Sequence, residues 1–493
     1  MKTLARIGLG VGGALALSIA VIGVRTAMLE APAVAALDGG GGSLAGPVAV
    51  DVNAAAQRLS QAIRFRTVSH QDKVEDQSAE WDRLHAWLVS AYPAAHAAMT
   101  REVISGHTLI YTWKGSDPSL APIVLMAHQD VVPVTPGTEK DWRHPPFDGV
   151  VADGAVWGRG AIDDKGSLIT LFEGAELLAA QGFTPRRTVL LVSTHDEEAR
   201  GEGARAVADW MKARGLQAEF VLDEGMAVIS DNPVTGGAVA LIGVAEKGYG
   251  TLNVVARAPG GHSSSPPKDA GGAVLLSKAV VAIAEHPFPM EFKGPGVALL
   301  ETLAPTGSWA LRMAVANRWL FEPLLLQQVA ATSTGAALLH TTIAPTMLRG
   351  SPKENVLPQD ATAWINYRIA PGDTSETVLA HARAAVGDLP VELSWTKTPD
   401  EPTPISSTRS RGWNVLASLA GEMSRAPVSA GLVTAATDSR HLLPVATDVY
   451  RFQPMTFSLS SLQMIHGTNE HLTLENLEFA VGFYARLIAT AAR

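Results

Sequence analysis

The sequence predicts an α/β protein with a mainly parallel central sheet and a smaller α+β unit inserted into it. Three observations lead there. Through the first half of the chain, apolar runs of strand length alternate with amphipathic helical stretches. Polar clusters follow directly on three of those runs: His128 with Asp130, then Asp196-Glu197-Glu198, then Asp223-Glu224. After Glu246 the pattern turns to period-two strands separated by helices, as in an antiparallel sheet with one covered face.

A chain of 493 residues has room for two ordinary domains, and 47% apolar residues supply their cores. The net charge is −9 and there is no run of basic residues, which argues against a nucleic-acid partner. Cysteine is absent. Disulfides and thiolate metal sites are therefore excluded, and any metal must be held by histidine and carboxylate. No Gly-x-Ser-x-Gly elbow occurs. Gly158-x-Gly160 lacks the third glycine of a dinucleotide loop and reads as a turn.

At the N-terminus, Lys2 and Arg6 precede an uncharged run over residues 7–24, closed by Arg25. As a helix this run is roughly 27 Å long, close to the thickness of a bilayer core. Two readings compete: a signal peptide cleaved after Ala31-Pro32-Ala33, and an uncleaved membrane anchor. Arg25 and Glu30 lie between the run and the cleavage site and favour the anchor. Either way, the leading positive charge places the body outside the cytoplasm, periplasmic or secreted. Residues 1–30 thus form the anchor or signal, and 31–49, with Asp38-Gly39-Gly40-Gly41-Gly42-Ser43, a flexible linker. Folded structure is expected from about Val50.

The body follows in order. Residues 52–63 and 79–92 are helical, 108–113 and 122–127 strands, 167–181 a helix stopped by Gly182. Residues 188–194 form another buried strand, 203–214 a helix and 219–222 a short strand. In such sheets ligands gather at the carboxyl ends of strands, where the three polar clusters fall. The inserted unit spans 246–402: strand 250–257, helix 274–284, strand 361–369, helix 375–386 and strand 391–396. Within it, residues 298–340 are unusually apolar and include Trp309, Trp319, Leu320 and Phe321. This stretch reads as extra helical core, or as an apolar wall for a greasy substrate group or partner; its helical character favours core. Helices 413–423 and 475–492 return to the first domain, so 50–245 and 403–493 are two parts of one unit.

Taken singly, each polar residue has an ordinary explanation, since a lone histidine is usually structural and an acid after a strand often caps a helix. Together they suggest more. His128 offers an imidazole, and Asp130 can accept its other N–H. Asp163, after the glycine turn, has two oxygens and can bridge two ions. Glu198 and Asp223 stand at separate strand ends, and His466 comes from a loop before the last helix. Two histidines and three carboxylates suit a pair of Zn²⁺ ions, two per chain. The adjacent Glu197 and Glu198 suggest divided labour, one binding metal and the other free to take a proton.

The motifs Ala127-His128-Gln129-Asp130-Val131-Val132-Pro133, Gly158-Arg159-Gly160-Ala161-Ile162-Asp163-Asp164-Lys165, His195-Asp196-Glu197-Glu198, Leu222-Asp223-Glu224-Gly225, Gly260-Gly261-His262-Ser263-Ser264, Asn355-Val356-Leu357-Pro358 and His466-Gly467-Thr468-Asn469-Glu470 occur in that order. In this the chain, from about Val52 to its end, resembles the dizinc aminoacylase and carboxypeptidase family. His195 and Ala316-Asn317-Arg318-Trp319-Leu320-Phe321 resemble its branch of yeast carboxypeptidase S and N-fatty-acyl amino acid hydrolase.

The resemblance implies a zinc-peptidase-like catalytic domain and an inserted lid domain of the dimerisation type. It implies that His128 and Asp223 hold one zinc, Glu198 and His466 the other, and that Asp163 bridges them with a cis peptide to Asp164. It further implies that Asp130 orients His128, that Glu197 is general base and then acid, and that His262 stabilises the oxyanion, in dimeric members at a neighbour's site. Asn355 and Arg368 would bind the carboxylate end of a small peptide or N-acyl amino acid substrate. Thr437-Asp438-Ser439-Arg440 matches a family segment, but Ala435-Ala436 replace its two glycines. The activity implied is hydrolysis of an amide beside a free-carboxylate amino acid. Two other classes stay open on the sequence: a catalytically silent membrane-tethered binding protein on the same fold, and a tethered structural protein using the apolar insert.

Overall fold

The computed structural model describes residues 2–32, 34, 44–70, 78–268 and 271–493, the side chains of 2–14 excepted. Its centre is a ten-stranded sheet. The middle of that sheet is parallel: Val189–Thr194, Ile123–His128, Ala218–Asp223 and Ala446–Arg451 lie side by side in that order. Antiparallel strands flank this middle, including the edge hairpin Thr100–Ile104 and Thr108–Trp113.

Both faces of the parallel strands are covered, which is why their sequences run apolar without alternation. Along Ile123–His128, Ile123, Leu125 and Ala127 enter one core, while Val124 and Met126 enter the other. The first core is closed by helices Val52–Ile63, Lys165–Ala180 and Leu474–Ala491, the second chiefly by Glu202–Ala213. Each fully buried side chain of this kind contributes about 1.5–3 kcal/mol. Helices Lys165–Ala180 and Leu474–Ala491 meet backbone to backbone, since a Cβ on Gly174 would stand 2.8 Å from the Ala485 nitrogen. Asp51 starts the first body helix, its side chain accepting from the Ala54 N–H at 3.0 Å.

The lid is a four-stranded antiparallel sheet in the order Thr342–Arg349, Asp360–Ile369, Gly248–Arg257, Val391–Trp395. Helices Gly272–Ala284 and Ser375–Val386 cover one face. The two chain crossings between lid and catalytic domain are tied together: Tyr249 and Asp400 exchange backbone hydrogen bonds at 2.8 Å, and the Thr403 N–H reaches the Glu246 carbonyl at 3.0 Å.

Four differences from the sequence reading have physical causes. Thr342–Arg349 is a fourth lid strand that the sequence reading did not foresee. It is a largely exposed edge, interrupted by a bulge between Pro345 and Met347, so it lacks the alternation that marks a half-buried strand. Val428–Val433 and Ala446–Arg451 are also unforeseen strands; they are rich in small residues or carry Asp448. Order begins before Val50: the Ala45 N–H donates to the Thr490 hydroxyl at 3.0 Å and its carbonyl accepts from Arg486 at 2.6 Å. The apolar 298–340 stretch is helical core on its inner side, where Leu300, Ala314, Val315, Leu325 and Leu339 join Phe292 in a separate cluster. Its outer side is exposed at Trp309 and Trp319. The expected linker core Asp38–Ser43, and Ala33 of the candidate cleavage site, lie outside the described residues.

A helix spans Lys2–Ala27. Among the described residues no helix is long and apolar enough to cross a membrane; residues 7–14, the first part of the expected anchor, lie where side chains are not described.

Candidate metal centre

The parallel strands deliver the site at their carboxyl ends. His128 is the last residue of its strand, Asp223 the last of the next, and Asp196 to Glu198 follow a third. The Asp196 carboxylate accepts from the Glu202 and Gly203 N–H groups, each at 2.8 Å, and so serves the start of helix Glu202–Ala213. That leaves Glu197 and Glu198 free of the capping role.

Asp163 stands between the two imidazoles. His128 Nε2 lies 3.0 Å from one of its oxygens and His466 Nε2 lies 3.1 Å from the other. The Asp163–Asp164 peptide is cis, as the resemblance implied. His466 Nε2 is also 3.2 Å from Glu198 Oε1. Ligand atoms of Asp163, Glu198 and His466 lie within 4.8 Å of one another, and so do those of His128, Glu197 and Glu198. Asp223 belongs to neither triplet; one of its oxygens accepts from the Ser439 N–H at 2.8 Å.

His128 is fixed from behind. Its Nδ1 lies 3.0 Å from the Asp130 carbonyl and 3.3 Å from the Asp130 carboxylate. That carboxylate also accepts from Ser69 at 2.6 Å and from the backbone of Glu197 and Glu198 at 3.2 and 3.1 Å. Asp130 thus ties the imidazole to the loop carrying both glutamates. A further strut comes from His85, whose Nε2 meets Gln129 Oε1 at 2.8 Å. Burial lowers His85 to about 4, so its ring is neutral there.

The loop carrying Asp163 hangs on Glu470. This buried carboxylate accepts from the N–H groups of Gly160, Ile162 and Asp163 at 3.1, 2.8 and 3.1 Å. It pairs with the equally buried Arg159 at 2.7 Å. Arg159 in turn donates to the carbonyls of His466 and Gly467 at 3.2 and 2.9 Å. His466 has a left-handed backbone, φ 59°, so its position depends on such anchoring. Gly160 has φ 85° and its missing side chain makes room for Val131. Arg159 and Glu470 each stand inside a sequence motif that by itself points to no role for either. Their pairing across 311 residues has no local signal.

The charges do not balance. Around His128 and His466 interact Asp130, Asp163, Asp164, Glu197, Glu198, Asp223, Glu224 and Asp438. Burial pushes Glu197 and Glu224 well above the usual carboxylate range, helped by neighbouring acids, and raises Glu198 and Asp223. Asp164 and Asp438 are each raised to about 8, chiefly by burial. Asp163 goes the other way: burial is outweighed by its bonds to both imidazoles. His128 and His466 are raised, the latter to about 10 by Asp163 and Glu198. So many buried acids facing two imidazoles are a donor set for divalent cations. His128, Asp163, Glu198 and His466 converge as a metal centre needs, and Glu197 and Asp223 border them.

The remaining expected residues lie apart. His262 is exposed on a short ribbon formed by Gly261–His262 and Val356–Leu357, its ring nitrogen 2.8 Å from the Ser264 hydroxyl. Asn355 adjoins it, its carbonyl accepting from the Ser263 N–H at 3.1 Å. Among the described residues, neither shares a hydrogen bond or ion pair with the acid–imidazole group. Arg368 crosses from the lid toward the catalytic domain, 3.5 Å from the Thr434 carbonyl. Thr434 opens the loop that holds Ala435-Ala436 and ends with Ser439 bonded to Asp223.

Residues 124–490 match the peptidase family M20/M25/M40. The chain is 35% identical to a probable carboxypeptidase S-like protein of Dictyostelium discoideum, over 88% of this chain and 84% of that one. It is 33% identical to the human N-fatty-acyl-amino acid synthase/hydrolase PM20D1, over 88% and 87%. To carboxypeptidase S of Saccharomyces cerevisiae it is 31% identical, over 87% and 83%. Among solved structures, an M20 family metallo-carboxypeptidase of Sulfolobus solfataricus superposes with a TM-score of 0.63 at 14% identity, covering 88% of this chain and 98% of that one.

The Arg159–Glu470 pair generates a prediction. Glu470→Ala leaves a buried guanidinium unpaired, which costs about 3–5 kcal/mol. The urea midpoint should fall accordingly, and the purified protein should lose bound metal. A variant with the wild-type midpoint and metal content would contradict the anchoring role.

Proposed function

Because the chain belongs to the peptidase family M20/M25/M40 and is a hydrolase of the metallopeptidase class, we propose that it cleaves the amide bond next to an amino acid with a free carboxylate. It does so as a carboxypeptidase or as an N-acyl amino acid amidohydrolase. Both substrate types present the same scissile amide and the same carboxylate. The observation that carries the reading is a pair of cations at the lid junction. Lys247 and Arg368 interact there; Lys247 donates to the His340 carbonyl at 2.7 Å and also feels Asp373, and among the described residues neither cation is within ion-pair distance of a carboxylate. Burial, then the nearby Arg368, lowers Lys247 to about 8; burial and Arg440 lower Arg368. A substrate carboxylate would relieve that repulsion.

The family implies a metal cofactor, and we assign two Zn²⁺ ions to the centre: His128 and Asp223 for one, Glu198 and His466 for the other, with Asp163 shared. When bound, they would supply Lewis acidity at the scissile carbonyl. The chain's own residues do the rest. Asp130 holds the His128 ring, and with it the tautomer whose Nε2 faces Asp163. Glu197, held above the usual carboxylate range by burial and by Asp438, Glu224 and Glu198, stands beside the His128 imidazole where it would accept a proton from the attacking water and return it to the leaving amine. His262, exposed and remote in its own chain, would reach a neighbour's site in a homodimer. The leading Lys2 and Arg6 support an extracytoplasmic body tethered at its N-terminus. A silent binding protein would need no free glutamate beside the imidazoles, yet Glu197 stands there.

Two measurements test this. Glu197→Gln should keep its metal and lose roughly 10²- to 10⁴-fold in kcat on a dipeptide or N-acyl amino acid; full activity would remove Glu197 as the base. Arg368→Ala should lose about 10- to 100-fold in kcat/KM on substrates with a free carboxylate, the worth of a charge-assisted hydrogen bond, and far less on their amides. Equal losses would show that Arg368 is not the clamp.

A further inference from the structure

The N-terminal helix does not run free of the body. Its last turns are clamped by the helical insert. Asn317, fully buried, donates through its amide to the Ile22 carbonyl and the Thr26 hydroxyl, both at 3.3 Å. Arg312 donates to the carbonyls of Thr26, Ala27 and Leu29 at 2.7, 3.0 and 2.8 Å, which satisfies the end of the helix. Arg25 returns a bond to the Ala316 carbonyl at 3.0 Å, and Leu29 packs on the insert's core. So many polar contacts fix a direction; a flexible tether would make none of them.

Beyond the clamp the helix leaves the protein. Every residue from Leu15 to Val21 is exposed, none is charged, and Leu17 is 67% accessible. A helix that is apolar on all sides and covered on none calls for a surrounding apolar medium. A protein partner covers one face, whereas lipid covers all of them. Where the helix departs, the insert presents a matching surface. Trp319 and Leu320 follow Asn317 after the single residue Arg318 and are exposed, Trp319 by 63%. Leu324 lies one turn further on the same face of Arg318–Val329, and Trp309, 67% exposed, opens the preceding helix. Exposed tryptophan at the foot of an apolar helix is the arrangement of a membrane–water boundary.

We propose that the insert is a membrane foot: Trp309, Trp319, Leu320 and Leu324 lie in the interfacial layer of the lipid bilayer that the N-terminal helix enters. The clamp then holds the catalytic body at a fixed stance on the membrane. This rests on the N-terminal tether proposed above, and one experiment separates the two. The chain has no cysteine, so a single introduced thiol is a unique label site. Full-length, metal-loaded Leu17→Cys, Trp319→Cys and Val103→Cys proteins, the last on an exposed catalytic-domain edge, are labelled with an environment-sensitive fluorophore. Each is reconstituted in phosphatidylcholine–phosphatidylglycerol vesicles with or without spin-labelled lipid. Emission at positions 17 and 319 should shift to the blue and be quenched by the spin label, with position 103 unchanged. A shift at 17 with 319 behaving like 103 would overturn the foot and leave the tether standing. No shift at 17 or 319 would overturn both. A blue-shifted label at 319 in lipid-free buffer that reverts on dilution would mean that a second copy covers the patch, which also overturns the foot.

Discussion

The ion pair between Arg159 and Glu470 is the constraint on which the rest of the site depends. One buried carboxylate gathers the backbone of the turn that carries Asp163. Its partner guanidinium gathers the backbone of the loop that carries His466. Two segments about 300 residues apart in the chain are thereby registered to each other. A buried pair of this kind is weak evidence for stability, because desolvation offsets much of its attraction. Its use is positional, and it stands behind the two residues whose positions the sheet does not set.

The sheet sets the others. Parallel strands end together, so His128, Glu197 and Glu198 converge without long loops and Asp223 borders them. Asp130 links them, since one carboxylate orients the His128 ring and takes both glutamate N–H groups. The cost of this convergence is a crowd of buried acids whose charge the two imidazoles cannot balance. That imbalance is what makes the centre a cation site, and metal affinity there should be coupled to loss of the imidazole protons. Lys247 and Arg368 lie at the junction with the lid, where the two connecting segments are hydrogen-bonded to each other.

Much of this was legible in the sequence for a physical reason. Strands buried on both faces leave apolar runs, and the polar residue that ends such a run must be there for chemistry or capping. His128 and Asp223 were readable in that way, and Asp196 turned out to be the capping case. Helices with clean apolar stripes, such as Val52–Ile63 and Ser375–Val386, fell where their spacing put them. What was not legible depended on distant partners. Nothing near Glu470 announces Arg159, and nothing near Asn317 announces Thr26. The edge strand Thr342–Arg349 hides because most of it faces water. The insert's apolar residues divide between a small core and an outer face, a distinction that composition does not carry.

We propose that Asp163 would be shared between two metal positions, one beside the strand ends and one beside the His466 loop. Anomalous diffraction at the zinc absorption edge, from crystals of the full chain purified with its metal, tests it most directly. Two peaks are expected, both adjoining Asp163, one also beside His128 and Asp223 and the other beside Glu198 and His466. A single peak, or peaks only at the separate Asp82, His85 and His107 cluster, would contradict it.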